Sequence, residues 1–159
     1  MKRHIFFVIT AMCLILFQYA FLAGIKSGYI ALDIIIPFLV WWAMRTPLPA
    51  ALLDTVAAAV LAELLSAMPP GLLIFSWATA CLSTRYITGY ITEPGTWQQM
   101  FIVAFVSMET TVILQTGSGA IELVWPWGIL QVFLNAATAP LFFKIFNMAH
   151  HPSSGNAHA

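Results

Sequence analysis

Long apolar stretches, separated by short polar breaks, run through almost the whole chain. A transmembrane helix needs roughly 20 mostly apolar residues. Six stretches approach that length, and they cover residues 5–23, 30–44, 48–68, 72–91, 97–116 and 123–146. The breaks hold residues that end helices, such as the Pro-Pro-Gly of residues 69–71. This pattern predicts an all-α integral membrane protein with about six transmembrane helices, forming a single domain over residues 1–148.

The composition agrees with a lipid environment. Hydrophobic residues make up 61% of the 159 positions and charged residues 8%, whereas a soluble domain carries about a quarter charged residues. The formal net charge is +0, which leaves no basic face for nucleic acid. The breaks are too short to hold a soluble catalytic domain, so we expect no enzymatic activity.

The basic residues predict the orientation, because Lys and Arg concentrate on the cytoplasmic side of a membrane protein. Only Lys26 falls in an odd-numbered loop; the termini and even-numbered loops hold Lys2, Arg3, Arg45, Arg85 and Lys144. We therefore predict a multi-pass membrane protein with both termini cytoplasmic. The polar residues 149–159 are then predicted to be a disordered cytoplasmic tail.

Tryptophan side chains favour membrane interfaces, so their positions can be related to the predicted orientation. Trp77 is predicted to pack inside the bundle. The predicted interfacial tryptophans are Trp41, Trp42 and Trp97 on the cytoplasmic side, and Trp125 and Trp127 on the outer side.

Acidic residues within predicted spans are candidates for function, because a charge in lipid is costly. Asp33 and Asp54 lie close enough to helix starts to reach an interface, whereas Glu63 and Glu109 are placed deeper. Two interpretations stay open for the deeper pair. One is a proton or cation site, and the other is a protonated or paired carboxyl that holds helices together.

The third span has a face of small residues, which permits close helix approach in lipid. This face is either a helix-packing seam within the chain or a docking surface for a partner protein. Its members are Ala58, Ala59, Ala62, Glu63 and Ser66.

Polar residues recur at helical spacing on the fourth and sixth spans. They predict hydrogen bonds between helices, or alternatively a polar pocket for a small ligand. The candidate pocket residues are Ser76, Thr79, Glu109, Gln131 and Asn135. The four histidines, His4, His150, His151 and His158, lie near the termini without carboxylates or thiols at ligand spacing, so we predict no metal site and no cofactor.

The region from the second span to the start of the fourth resembles the rod shape-determining MreD family. Three sequence features carry the resemblance. They are Trp-Ala-Met-Arg-Thr-Pro at residues 42–47, Glu-Leu-Leu-Ser at residues 63–66, and Pro-Gly at residues 70–71. Asn135 and Pro140 in the last span also fit, although the family usually has Asp where Glu63 stands.

The resemblance implies a multi-pass protein of the bacterial inner membrane with a role in rod shape and lateral peptidoglycan synthesis. It also implies binding to the single-span protein MreC and, through MreC, to the cell-elongation machinery. The implied fold is similar to the substrate-binding subunits of energy-coupling-factor vitamin transporters. Two functions therefore follow as expectations: a non-enzymatic membrane scaffold, or alternatively a vitamin-type binding subunit of a membrane transporter.

Overall fold

A computed structural model of the chain describes residues 2–18, 20, 33–66, 68–91, 95–118 and 125–150. These residues form helices and no strand, which confirms the predicted all-α class for this part of the chain. The predicted tail and the Lys26 loop lie outside the described residues. The helices are α1 (Lys2–Phe17), α2 (Ile35–Arg45), α3 (Leu48–Leu65), α4 (Leu72–Thr88), α5 (Thr96–Ser118) and α6 (Trp125–His150).

Three segments within the described residues are long and apolar enough to cross a membrane: Leu48–Leu65 of α3, Thr96–Ser118 of α5 and Gly128–Ala149 of α6. This is consistent with a membrane protein. Two further apolar helical segments, His4–Phe17 and Ile35–Arg45, are shorter. At about 1.5 Å per residue, α2 is roughly 16 Å long. That is about half of a hydrocarbon core of about 30 Å.

The helix ends differ from the predicted spans where short-range polar contacts end a helix early. The second span was predicted to begin at Ile30, but Asp33 and Ile34 are not helical and α2 begins at Ile35. The third span was predicted to reach Met68, but Ser66 has extended backbone and α3 ends at Leu65. Apolar run length therefore overestimates both helices.

Hydrogen bonds across the bundle define its two ends. His4, Trp42 and Asp54 meet at one end, which we call the N-terminal end. Glu63 meets the start of α4 at the opposite end. Between the ends, α2 contacts every other helix of the described chain. Nine of its 11 residues are buried, as expected for a helix that is apolar on all sides.

Aromatic side chains build the core around α2 at the N-terminal end. The ring centroid of Phe7 lies 5.2 Å from that of Phe38 and 4.8 Å from that of Trp42, and Phe146 of α6 closes the cluster at 5.5 Å from Trp41. Such pairs add about 0.5–1.5 kcal/mol each beyond burial of their area. The cluster joins α1, α2 and α6.

Two of the tryptophans predicted near the cytoplasmic interface are buried inside the bundle. Trp41 and Trp42 are 2% and 0% exposed, and the indole N–H of each has a side-chain acceptor on another helix. Trp41 donates to Asn147 Oδ1 at 2.7 Å and Trp42 to Asp54 Oδ2 at 3.1 Å. Trp97 is 81% exposed and Trp77 is 4% exposed, so the prediction that Trp77 packs inside is confirmed. The side chains of Trp125 and Trp127 lie outside those described.

Candidate functional site

The small-residue face of α3 lies inside the bundle. Ala58, Ala59 and Ala62 are at most 2% exposed, and α3 packs against α1, α2 and α4. Burial therefore supports the helix-packing interpretation of this face. It argues against the docking alternative, because a partner helix cannot reach alanines that the chain's own helices already cover.

Overpacking tests this arrangement. We expect Ala59→Leu to destabilise the protein by about 1–3 kcal/mol, because the added side chain has no space in a close helix contact. Ala57→Leu is the matched control, since Ala57 is exposed on the same helix. Thermal unfolding of both variants in the same detergent measures the difference. Equal melting temperatures for the two variants would show that the alanine face is not a packed contact.

The carboxylate of Glu63 closes the opposite end of the bundle by capping α4. Its Oε1 accepts hydrogen bonds from the backbone N–H groups of Leu73 at 2.8 Å and Ile74 at 3.1 Å, and its Oε2 accepts from that of Gly71 at 3.0 Å. The first N–H groups of a helix have no partner within the helix, and a carboxylate is well suited to the positive end of the helix dipole.

The position of Glu63 corrects the depth predicted from the sequence. It lies in the last turn of α3 rather than deep within a longer span, because α3 ends at Leu65. Gly71, whose backbone N–H is one of the three donors to Glu63, has φ +84°. This is a left-handed conformation that glycine adopts without strain. Ser66, the last member of the small-residue set, bonds through its hydroxyl to the Glu63 carbonyl at 3.3 Å.

Substitution of Glu63 separates capping by its oxygens from the effect of its charge. Glu63→Ala removes the acceptor for three backbone donors, so we expect a clear fall in melting temperature. Glu63→Gln keeps one side-chain oxygen, so its melting temperature should lie between those of Glu63→Ala and the wild type. Leu64→Ala, at the neighbouring exposed position, is the control and should change little. A Glu63→Ala protein as stable as Leu64→Ala would remove the capping role.

Asp54 forms a second polar junction at the N-terminal end. Its side chain is 5% exposed and accepts from the Trp42 indole, while His4 Nδ1 lies 2.8 Å from its Oδ1. The expectation that His4 has no carboxylate partner was wrong, since the two residues are 50 positions apart in the sequence. Asp54 thereby links α1, α2 and α3. The described residues contain no group of three or more His, Cys, Asp or Glu that could hold a metal ion.

A third junction lies in the middle of the bundle. Asp33 Oδ1 caps α2 by accepting from the backbone N–H groups of Ile35 at 3.0 Å and Ile36 at 3.4 Å. The Asp33 backbone N–H donates to Asn135 Oδ1 at 3.1 Å, and Asn135 Nδ2 donates to Ser107 Oγ at 3.2 Å. Ser107 has eleven residues of α5 on either side. The N-terminus of α2 is therefore at mid-depth, fixed to α5 and α6.

The structure does not assemble the five predicted pocket residues into one pocket. Ser83 donates to Glu109 Oε1 at 2.9 Å, Thr79 bonds to the Phe75 carbonyl of its own helix, and Asn135 belongs to the third junction. The hydroxyl of Ser76 is buried without a partner in the described chain, and Gln131 is partly buried. None of the five lines either of two apolar surface grooves, one of about 250 Å³ between α5 and α6 and one of about 410 Å³ between α4 and α5.

Sequence reasoning missed the role of Asp33 as a helix cap, although a local signal was present. An Asp directly before an apolar run marks a helix start, and a proline in the first turn strengthens the signal. Pro37 occupies the first turn of α2. The partnership of Ser107 with Asn135 had no such signal, because it depends on how α5 and α6 pack.

Comparisons with known proteins identify no relative of this chain. No family model matches the chain, and neither the curated proteins nor the solved structures contain a match. The resemblance to the MreD family therefore rests on the residues quoted for it.

Proposed function

We propose that this chain is a non-enzymatic membrane scaffold of the bacterial cell-elongation complex. It contributes to rod shape and lateral peptidoglycan synthesis by binding a single-span partner such as MreC. In this proposal the protein is in the inner membrane with six transmembrane helices, a fold similar to energy-coupling-factor binding subunits, and both termini cytoplasmic.

The observation that carries the proposal is that separate parts of the MreD-like pattern contact each other. Glu63, from the acidic segment at the end of α3, accepts a hydrogen bond from the backbone of Gly71 in the Pro-Gly segment. From the first segment, Trp42 donates its indole N–H to the buried Asp54 carboxylate. Arg45, from the same segment, lies over the ring of Trp41, with its Cζ atom 5.6 Å from the ring centroid. The pattern thus corresponds to residues that position helices, which is what a scaffold requires.

The acidic side chains of the helices support the same function. Asp33 and Glu63 cap helices, Asp54 links three helices, and Glu109 accepts from Ser83 on the neighbouring helix. The carboxylates of Asp54, Glu63 and Glu109 each connect one helix to another. This agrees with the paired-carboxyl interpretation of the acids and with a role for them in holding the helices together.

Crosslinking from the exposed face of each helix tests partner binding. A photo-reactive amino acid is placed singly at one of five positions that are 48–68% exposed, and crosslinks to the MreC-like protein of the same cell are probed. The positions are Met12, Leu53, Phe75, Phe101 and Phe133. We expect crosslinks from one continuous face and none from the buried control Ala59. An inserted, folded protein that crosslinks to that partner from no position would refute the proposal.

The proposed topology makes a separate prediction. Reporter fusions at Gly28, Gly71 and Gly119 should be on the outer side, and fusions at Gly95 and the C-terminus should be cytoplasmic. The reason is the excess of Lys and Arg at the termini and even-numbered loops. A C-terminal fusion on the outer side would refute six crossings.

The transporter alternative has its own test. A vitamin-type binding subunit should be stabilised against heat by its ligand, because a ligand that binds only the folded state raises the melting temperature. Stabilisation by a vitamin, together with failure to capture any membrane partner, would replace the scaffold function by ligand binding.

A further inference from the structure

The groove between α4 and α5 combines aromatic rings with a hydroxyl that bonds to a carboxylate. Its volume is about 410 Å³, which is within the range of small-molecule binding sites. The rings of Tyr86, Phe101 and Phe105 line it and are 70%, 65% and 47% exposed. Ser83 also lines it, and its hydroxyl donates to Glu109 Oε1 at 2.9 Å.

Glu109 therefore lies directly behind the wall of the groove. It follows Phe105 by four residues, so the two side chains lie on one face of α5. An atom in the groove that contacts Ser83 Oγ is within about 6 Å of Glu109 Oε1, because the two oxygens are 2.9 Å apart and a second polar contact adds about 3 Å. A positive charge at that place is close enough to interact with the carboxylate.

The described chain compensates the Glu109 carboxylate only in part. Ser83 supplies one hydrogen bond, and Glu109 Oε2 is buried with no donor in the described chain. Among the described residues, no Lys, Arg or His lies within ion-pair distance of Glu109. The Arg85 guanidinium lies 3.5 Å from the Met44 carbonyl oxygen of α2 instead. A carboxylate near the middle of a membrane helix is costly unless it is paired, so the groove is complementary to a positive charge.

The other groups of the groove determine which kind of cation fits. The faces of Tyr and Phe rings attract ammonium groups, and more strongly where water is excluded. Of the described residues that line the groove, only Ser83 and Tyr86 carry a polar side-chain atom. A hard metal cation requires about six oxygen ligands or more. The fitting occupant is therefore an organic cation whose own apolar groups fill the groove.

We propose that the groove between α4 and α5 binds a lipid-soluble organic cation, such as an aromatic or quaternary ammonium compound. The cationic group lies beside Ser83, where the Glu109 carboxylate attracts it. The apolar part lies against the rings of Tyr86, Phe101 and Phe105. The proposal is independent of the scaffold function, because it uses a groove and a carboxylate of this chain alone.

Equilibrium binding to the purified full chain in a nonionic detergent tests the site. The probes are radiolabelled tetraphenylphosphonium and tetraphenylborate, which have the same shape and opposite charges, and each is titrated separately with binding to empty micelles subtracted. We expect saturable binding of tetraphenylphosphonium and none of tetraphenylborate. Absence of saturable tetraphenylphosphonium binding would overturn the proposal. Equal binding of both probes would show a surface that any hydrophobic molecule occupies, and would overturn it as well.

Matched variants locate the bound cation. Glu109→Gln keeps the shape of the side chain and removes its charge, so we expect the affinity for tetraphenylphosphonium to fall at least about tenfold. Tyr86→Leu removes a ring of the groove and should weaken binding several-fold. Phe133→Leu is the control, because Phe133 is 68% exposed and lines the groove between α5 and α6 instead. Its affinity should equal that of the wild type.

The variants also provide the results that would contradict the site. An unchanged affinity of Glu109→Gln would show that the carboxylate does not attract the cation. If Glu109→Gln does not accumulate as a folded protein, Tyr86→Leu decides, since that side chain is 70% exposed and its replacement leaves the core intact. An affinity of Tyr86→Leu equal to that of Phe133→Leu would place the cation outside this groove and overturn the proposal.

Discussion

Replacing Asn135 with leucine is expected to destabilise the protein by about 2–4 kcal/mol. Asn135 is 1% exposed and is the acceptor for the Asp33 backbone N–H and the donor to Ser107 Oγ. Leaving a buried donor unsatisfied costs about 1–3 kcal/mol. The hydrogen bond to Ser107 is a smaller part of the expected effect, because side-chain bonds between membrane helices average only about 0.6 kcal/mol.

The unfolding free energy in mixed detergent micelles measures this loss. Gln131→Leu is the control, because Gln131 is one turn earlier on α6 and is only partly buried. We expect Gln131→Leu to change stability by less than about 1 kcal/mol. Equal destabilisation by the two substitutions would show that the Asn135 junction does not hold α2 in place.

Replacing Asp54 with alanine is the second large change, with an expected loss of about 2–4 kcal/mol. The Trp42 indole N–H, in a side chain that is 0% exposed, would lose its acceptor, and an unsatisfied buried donor accounts for about 1–3 kcal/mol. The pair with His4 adds less, because the His4 side chain is 47% exposed and solvent screens an exposed pair.

Asp54→Asn and a double-mutant cycle separate the contribution of the Trp42 hydrogen bond to this loss of stability from that of the His4 pair. Asn keeps an oxygen for the Trp42 indole, so we expect Asp54→Asn to lose about half as much stability as Asp54→Ala. His4→Ala combined with Asp54→Ala gives the coupling between the two side chains, which should be below about 1 kcal/mol for a half-exposed pair. A coupling as large as the whole Asp54→Ala effect would assign the stability to the His4 pair instead of the indole.

The sequence predicts the helices well and their polar contacts poorly. Prolines and glycines mark the break between α3 and α4, so α4 begins at Leu72 as the pattern predicts. The small-residue spacing on α3 likewise predicts a close contact, and those alanines are buried. Both signals are local, because a few neighbouring residues determine them.

Contacts between distant residues have no comparable signal. Distance along the chain from a loop gave only an expected depth for Trp41 and Trp42, while their hydrogen bonds to Asn147 and Asp54 became visible only in the packed structure. The candidate pocket residues have the same limit, since helical spacing shows which residues share a face and not which helix covers that face. Asn135 was correctly selected as polar and interior, but its partners Asp33 and Ser107 required the packed structure.

The short length of α2 has a consequence for how the protein is made. A helix of 11 residues is too short to cross a bilayer alone, even though the Asp33 carboxylate satisfies two of the N–H groups at its start. Insertion machinery that handles one hydrophobic segment at a time therefore has no stable state for α2 by itself. The contact between Asn135 of α6 and the Asp33 backbone forms only after α6 has been synthesised, so α2 reaches its final position later than its place in the chain order.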